Sequence, residues 1–139
     1  MNRKQFHDFF ACPHPVVTPV IHVLDSEQTE RNIRLALAEG AHGIFLINHD
    51  FDVPTFLPIV RQARANFPDL WLGLNFLAVT GKDAFPILGE LAGEGCTIDA
   101  YWADDARIDE RATKQTEAEE IAAIRKRSGW SGLYLGGTA

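Results

Sequence analysis

The stretch FLINHDFDVP, Phe45 to Pro54, begins as an apolar run and ends in groups able to hold a proton, a metal or a hydroxyl. Those groups are Asn48, His49, Asp50 and Asp52. Two more candidates sit in similar settings: His22 between Ile21 and Val23, and Asn75 inside LWLGLNFLA. An imidazole can serve as acid or base near neutral pH, which makes His22 the catalytic candidate. A side-chain amide donates and accepts at once, so Asn48 and Asn75 could orient a polyol, a phosphate ester or a carbonyl-bearing ligand. An amide left unpaired inside a strand costs about 1–3 kcal/mol, so each asparagine needs an internal hydrogen bond or a ligand. The remaining acids have plainer uses. Asp25 and Asp52 precede helical stretches and read as caps. Asp104 and Asp105 read as a solvated loop with Arg107 and Asp109. His22, His49 and Asp50 could converge on a metal, but their spacing does not require it, and no metal site is assigned. HExxH, GxSxG, Walker and GxGxxG patterns are absent, so neither a reaction nor a cofactor can be named from motifs.

The elements that must position these groups come from two alternating patterns. VVTPVIHVL (Val16 to Leu24) reads as a strand and DSEQTERNIRLALAEG as a helix. Asp25 or Ser26 can cap that helix, Gln28 has capping-box spacing, and Gly40 can supply a left-handed stop. Ile33, Ala36 and Leu37 give it an apolar face. GIFLIN is a second strand, followed by a helix with Phe56, Ile59, Val60, Ala63 and Phe67 on one face. Leu70 to Ala78 is a third strand and TGKDAFPILGELAGEG a third helix. With Thr55 and Asp83 as caps, Pro58 and Pro86 would fall in first turns, where a missing N–H costs little. Thr97 to Ala103 is a fourth strand, with Asp99 inside it. TEAEEIAAIRKRSG is a helix opened by a Thr116–Glu119 capping box, with Arg125 to Arg127 complementing the dipole at its end. GLYLGG (Gly132 to Gly137) is a fifth strand. Residues 1–14 form an N-terminal helical segment before the first strand, with the amphipathic stretch KQFHDFFA within it.

Apolar strands separated by helices on short loops predict an α/β fold with a parallel sheet, in one domain spanning residues 1–139. The leading architecture is a partial TIM-type barrel of five strands, truncated before strands six to eight. The alternative is a flavodoxin-like doubly wound sheet. Both bind ligands beyond the carboxyl ends of the strands. Polar groups gather at that rim: His22, then Asn48, His49 and Asp50, then Asn75, then Gly136 and Gly137, whose turn exposes backbone N–H groups. His22, Asn48 and Asn75 are expected to line one pocket.

VIHVLD, EGAHGIFLINHDFDVPTF and LWLGLNFLAVTGKDAFPI occur in the order of the first three strands of BtpA-family barrel proteins, and this part of the chain resembles that family. His22, Asn48, Asp52, Pro54, Gly73, Asn75 and Leu77 fall on the pattern's positions. The resemblance implies a (β/α)8-like fold, and the polar strand ends add the expectation of a small polar or phosphorylated ligand bound there. Alternatively, it implies a non-catalytic assembly role of the kind associated with photosystem I accumulation.

Composition narrows the partners. The chain has 139 residues, 46% of them apolar, and a formal net charge of −6. That charge leaves no basic stripe for nucleic acid, and no stretch has the length for membrane insertion. Cys12 and Cys96 are far apart and lack CxxC companions, which predicts unpaired thiols in the cytoplasm. An unclosed barrel predicts a homo-oligomer or a complementing chain.

Overall fold

The computed structural model describes residues 2–10, 17–104 and 114–136. Helix α1 (Arg3–Phe10) precedes four βα units and a final strand. These are β1 (Val17–His22), α2 (Ser26–Ala38), β2 (Gly43–Asn48), α3 (Val53–Asn66), β3 (Trp71–Phe76), α4 (Gly81–Gly93), β4 (Ala100–Ala103), α5 (Lys114–Ser128) and β5 (Leu133–Gly136). The five strands form one all-parallel sheet in the order β1-β2-β3-β4-β5. The α/β expectation of parallel βα repeats therefore holds. Among the described residues no helix is long and apolar enough to cross a membrane. The chain groups into two compact units, Met1–Leu74 and Asn75–Ala139.

In the first unit, β1 and β2 pair with His22 opposite Ile47 and Ile21 opposite Leu46. The register slips between Val17 and Val20, where β1 carries one residue more than β2. Pro19 lies in that slip. A residue without an N–H is tolerated at a bulge or an outer strand, and β1 supplies both. Helix α2 begins where its sequence asks: Asp25 Oδ1 accepts the Gln28 N–H at 2.7 Å, and Gln28 Oε1 accepts the Leu24 N–H at 3.1 Å. It ends at Gly40, whose φ of 97° only glycine adopts cheaply, with the Ala41 N–H returning to the Ala36 carbonyl. Ile33 and Ala36 are buried as expected, whereas Leu37 is exposed and Thr29 is buried instead. Helix α3 packs on α2 through polar atoms: Arg34 pairs with Glu30 and lies over the Phe67 ring, and Asn66 donates to Glu30. Ile44, Leu46, Phe56, Val60 and Leu72 fill the interior, with Trp71 set edge-on to Phe45 at 5.6 Å.

The caps expected at Thr55 and Asp83 are corrected. Asp52 caps α3, its Oδ1 accepting the Thr55 N–H at 2.9 Å, so Thr55 is already inside the first turn. Thr80 opens α4 through its backbone carbonyl, which accepts from Asp83 and Ala84. Both helices start three residues earlier than the proline argument places them, and Pro58 and Pro86 lie within them. Likewise α5 already begins at Lys114, so Thr116 does not cap it. Its basic end at Arg125, Lys126 and Arg127 is as expected.

In the second unit, β4 pairs with β5, Ala103 opposite Gly136. Asp99, expected inside the fourth strand, precedes it, and its carbonyl accepts the Leu133 N–H at 2.8 Å. Trp130 anchors this region: its indole N–H donates to the Ile98 carbonyl at 2.9 Å and its ring stacks on Phe85. Helices α4 and α5 meet at Gly89, against the Ser128 carbonyl. Cys96 is buried.

Candidate functional site

The apolar run of β2 ends because each polar residue after it has a separate task. Asn48, 4% exposed, donates from its Nδ2 to the Phe51 carbonyl at 2.9 Å and closes the turn. Asp52 caps α3, and hydrogen bonds from the Thr55 hydroxyl and N–H hold its carboxyl below the usual aspartate value. His49 and Asp50 stand out from that turn, exposed, with His49 Nδ1 and Asp50 Oδ1 3.4 Å apart.

His22 is the last residue of β1 and is exposed, between the buried Ile21 and Val23. Alternation in a strand places His22 on the face opposite its two neighbours. Since His22 pairs with Ile47, a residue two beyond Ile47 extends on the same side. His49 is that residue, and the two imidazoles meet with ring centroids 5.1 Å apart at a tilt of 40°. The backbone under each ring is tied down. Gln28 Nε2 donates to the His22 carbonyl at 3.1 Å, and the Asn48 bond fixes the turn carrying His49. Beside this pair a groove of about 690 Å³ follows the outer edge of β1 and the face of α2, lined by Pro19, Val20, His22, Asn32 and Leu35 among others.

In the second unit Asn75 is fully buried near the end of β3. Its Nδ2 donates to the Trp102 carbonyl at 2.9 Å and to Asp104 Oδ1 at 3.2 Å. Its Oδ1 is buried and has no hydrogen-bond partner among the described residues. Exchanging the amide's O and N would set oxygen against the Trp102 carbonyl, so the two donor contacts fix the orientation. The following turn is strained. Phe76 O accepts the Val79 N–H at 3.0 Å, and Ala78 between them adopts a φ of 59°. A Cβ-bearing residue enters this left-handed region at a cost, and such strain collects at functional rims. The Tyr101 hydroxyl donates to the Val79 carbonyl at 3.2 Å and holds the turn, and burial pushes its pKa well up.

The described contacts thus gather His22, His49 and Asp50 in one cluster and Asn75 with Asp104 in another, while Asn48 serves its own turn. Gly136 ends β5 and is exposed; Gly137, Thr138, Asp105, Arg107, Asp109 and Cys12 lie outside the described residues, as do the side chains of Phe6, Phe9 and Phe10. Ala78, Tyr101 and the Trp102 carbonyl are additions that sequence did not announce. Ala78 is not a turn-forming residue type, and the Asn75–Trp102 bond joins positions 27 apart. Among the described residues no group of three or more His, Cys, Asp or Glu side chains is arranged to hold a metal ion.

No family model, curated protein or solved structure matches the chain.

Proposed function

We propose that this chain is a BtpA-like βα-repeat protein that binds a small polar ligand at the carboxyl ends of its strands. Its consecutive strand order supports the barrel-type reading, since a flavodoxin-like sheet runs 2-1-3-4-5. The observation that carries the ligand reading is Asn75 Oδ1, a buried acceptor that meets no donor among the described residues and lies next to an exposed carboxylate, Asp104. A buried acceptor left unmatched costs about 1–3 kcal/mol, a debt that an incoming donor removes. Both groups accept, so a hydroxyl- or amine-bearing ligand suits this end of the unit better than a bare phosphate. A phosphorylated ligand would draw on the backbone near Gly136.

A thermal-shift and ligand-observed NMR screen of polyols, amino alcohols, sugars and sugar phosphates tests this. Hydroxyl-bearing hits should lose at least roughly tenfold in affinity in Asn75→Ala, the equivalent of about 1.4 kcal/mol. Hits that bind Asn75→Ala and Asp104→Ala as tightly as the parent would overturn the assignment, as would an empty screen.

A second reading, a non-catalytic assembly factor, draws on the exposed Leu24 and Leu35 next to the outer strand β1. Apolar side chains beside an unpaired strand edge suit a protein partner.

A further inference from the structure

We propose that His22 and His49 together bind a divalent transition-metal ion through their two imidazoles, leaving the other coordination positions open. The site lies wholly within residues 17–74 and does not depend on the Asn75 reading. The first argument is geometric. With Zn–N near 2.0–2.1 Å, a bound metal sits about 3.2 Å from each ring centroid, so a tetrahedral angle puts the two centroids roughly 5.2 Å apart. A right angle, as between neighbouring octahedral positions, gives roughly 4.5 Å from the same bond length. The observed 5.1 Å matches the tetrahedral case.

The second argument is support. A histidine ligand needs its other nitrogen held and its backbone fixed. Asp50 Oδ1 lies 3.4 Å from His49 Nδ1, the position of a carboxylate that orients the ring and leaves Nε2 for the metal. His22 is fixed by its pairing with Ile47 and by Gln28, and His49 by the turn that Asn48 closes. Neither ring is buried, so hydrophobic packing does not account for their approach. With two protein ligands, water or an oxygen-bearing ligand must complete the shell. With one protein ligand fewer than an ordinary catalytic zinc, the arrangement leaves positions at which a bound molecule would be polarised.

The test titrates the full chain with Zn(II) by calorimetry and with Co(II) by visible absorption. The parent should bind one equivalent and give the intense d–d band of low-coordinate Co(II). His22→Ala and His49→Ala should each abolish that band, and Asp50→Asn should weaken Zn(II) binding about tenfold. His42→Ala and Asn75→Ala should leave it unchanged. Should His22→Ala fail to fold by circular dichroism, His22→Gln replaces it. Failure of the parent to bind overturns the proposal. So does binding that survives both histidine substitutions, which would place the metal on other histidines of the chain.

Discussion

At Gly89 the backbone of α4 lies directly on the Ser128 carbonyl at the end of α5, and a methyl group has nowhere to go. The obstacle is backbone, so no side chain can swing aside. Gly89→Ala should therefore destabilise the protein by about 1–3 kcal/mol or more, read as a lowered Tm in thermal denaturation. Gly93, at the end of the same helix with open space around it, provides the contrast. Gly93→Ala should be neutral or stabilising by up to about 1 kcal/mol, because alanine forms helix more readily. An equal response at both positions would mean the helices do not meet as described. Nothing in TGKDAFPILGELAGEG marks one of these glycines as tight and the other as loose. That distinction belongs to a contact 39 residues away in sequence. His22, by contrast, was legible as a strand-end group, because its apolar neighbours fix the alternation. Its partnership with His49 was not, since it depends on the β1–β2 register.

Elements carry their own start signals, and their strength differs. Asp25, Gln28 and Thr29 form a closed set, with the Thr29 hydroxyl also donating to the Asp25 carbonyl at 2.7 Å. Asp25→Ala should cost about 1 kcal/mol. It should also fray the link from Gln28 to the His22 carbonyl, visible as faster amide exchange in the first turn of α2. Unchanged stability and exchange would remove Asp25 from the cap. The Asp52 cap of α3 has a pH signature as well. Its carboxyl is lowered from 3.8, so its stabilisation is complete above that value and is lost as pH falls through the lower folded one. The caps at Asp25 and Asp52 are both legible in the sequence, whereas the starts of α3 and α4 are misplaced when Thr55 and Asp83 are taken as caps. Confining proline to the first turn moves both starts three residues too far along the chain, past Asp52 and Thr80. GIFLIN was read to the residue, because a strand buried on both faces leaves an unbroken apolar run.

At the scale of the whole molecule, β1 and β5 are the outer strands of the sheet among the described residues. Leu24, Leu35 and Leu135 are 60%, 61% and 42% exposed near those edges. Burial contributes roughly 25 cal/mol per Å² of apolar surface, and unpaired backbone groups add directional contacts for another chain. Self-association is the expected outcome, visible in sedimentation equilibrium as a mass that rises with loading concentration. A constant monomer mass throughout would contradict it. Alternation of strand and helix made the parallel sheet legible from sequence. The division into two compact units was not, since no glycine- or proline-rich linker marks Leu74 and Asn75.

The same division distributes the chain's three indoles unevenly. Trp71 alone reports on Met1–Leu74, from a buried setting edge-on to Phe45. Trp102, 37% exposed, and Trp130, stacked on Phe85, both belong to Asn75–Ala139. Intrinsic fluorescence is therefore two signals superimposed, and removing either set by Trp→Phe substitution leaves an optical label for one half. Whether the halves lose their structure together or in turn becomes a matter of colour.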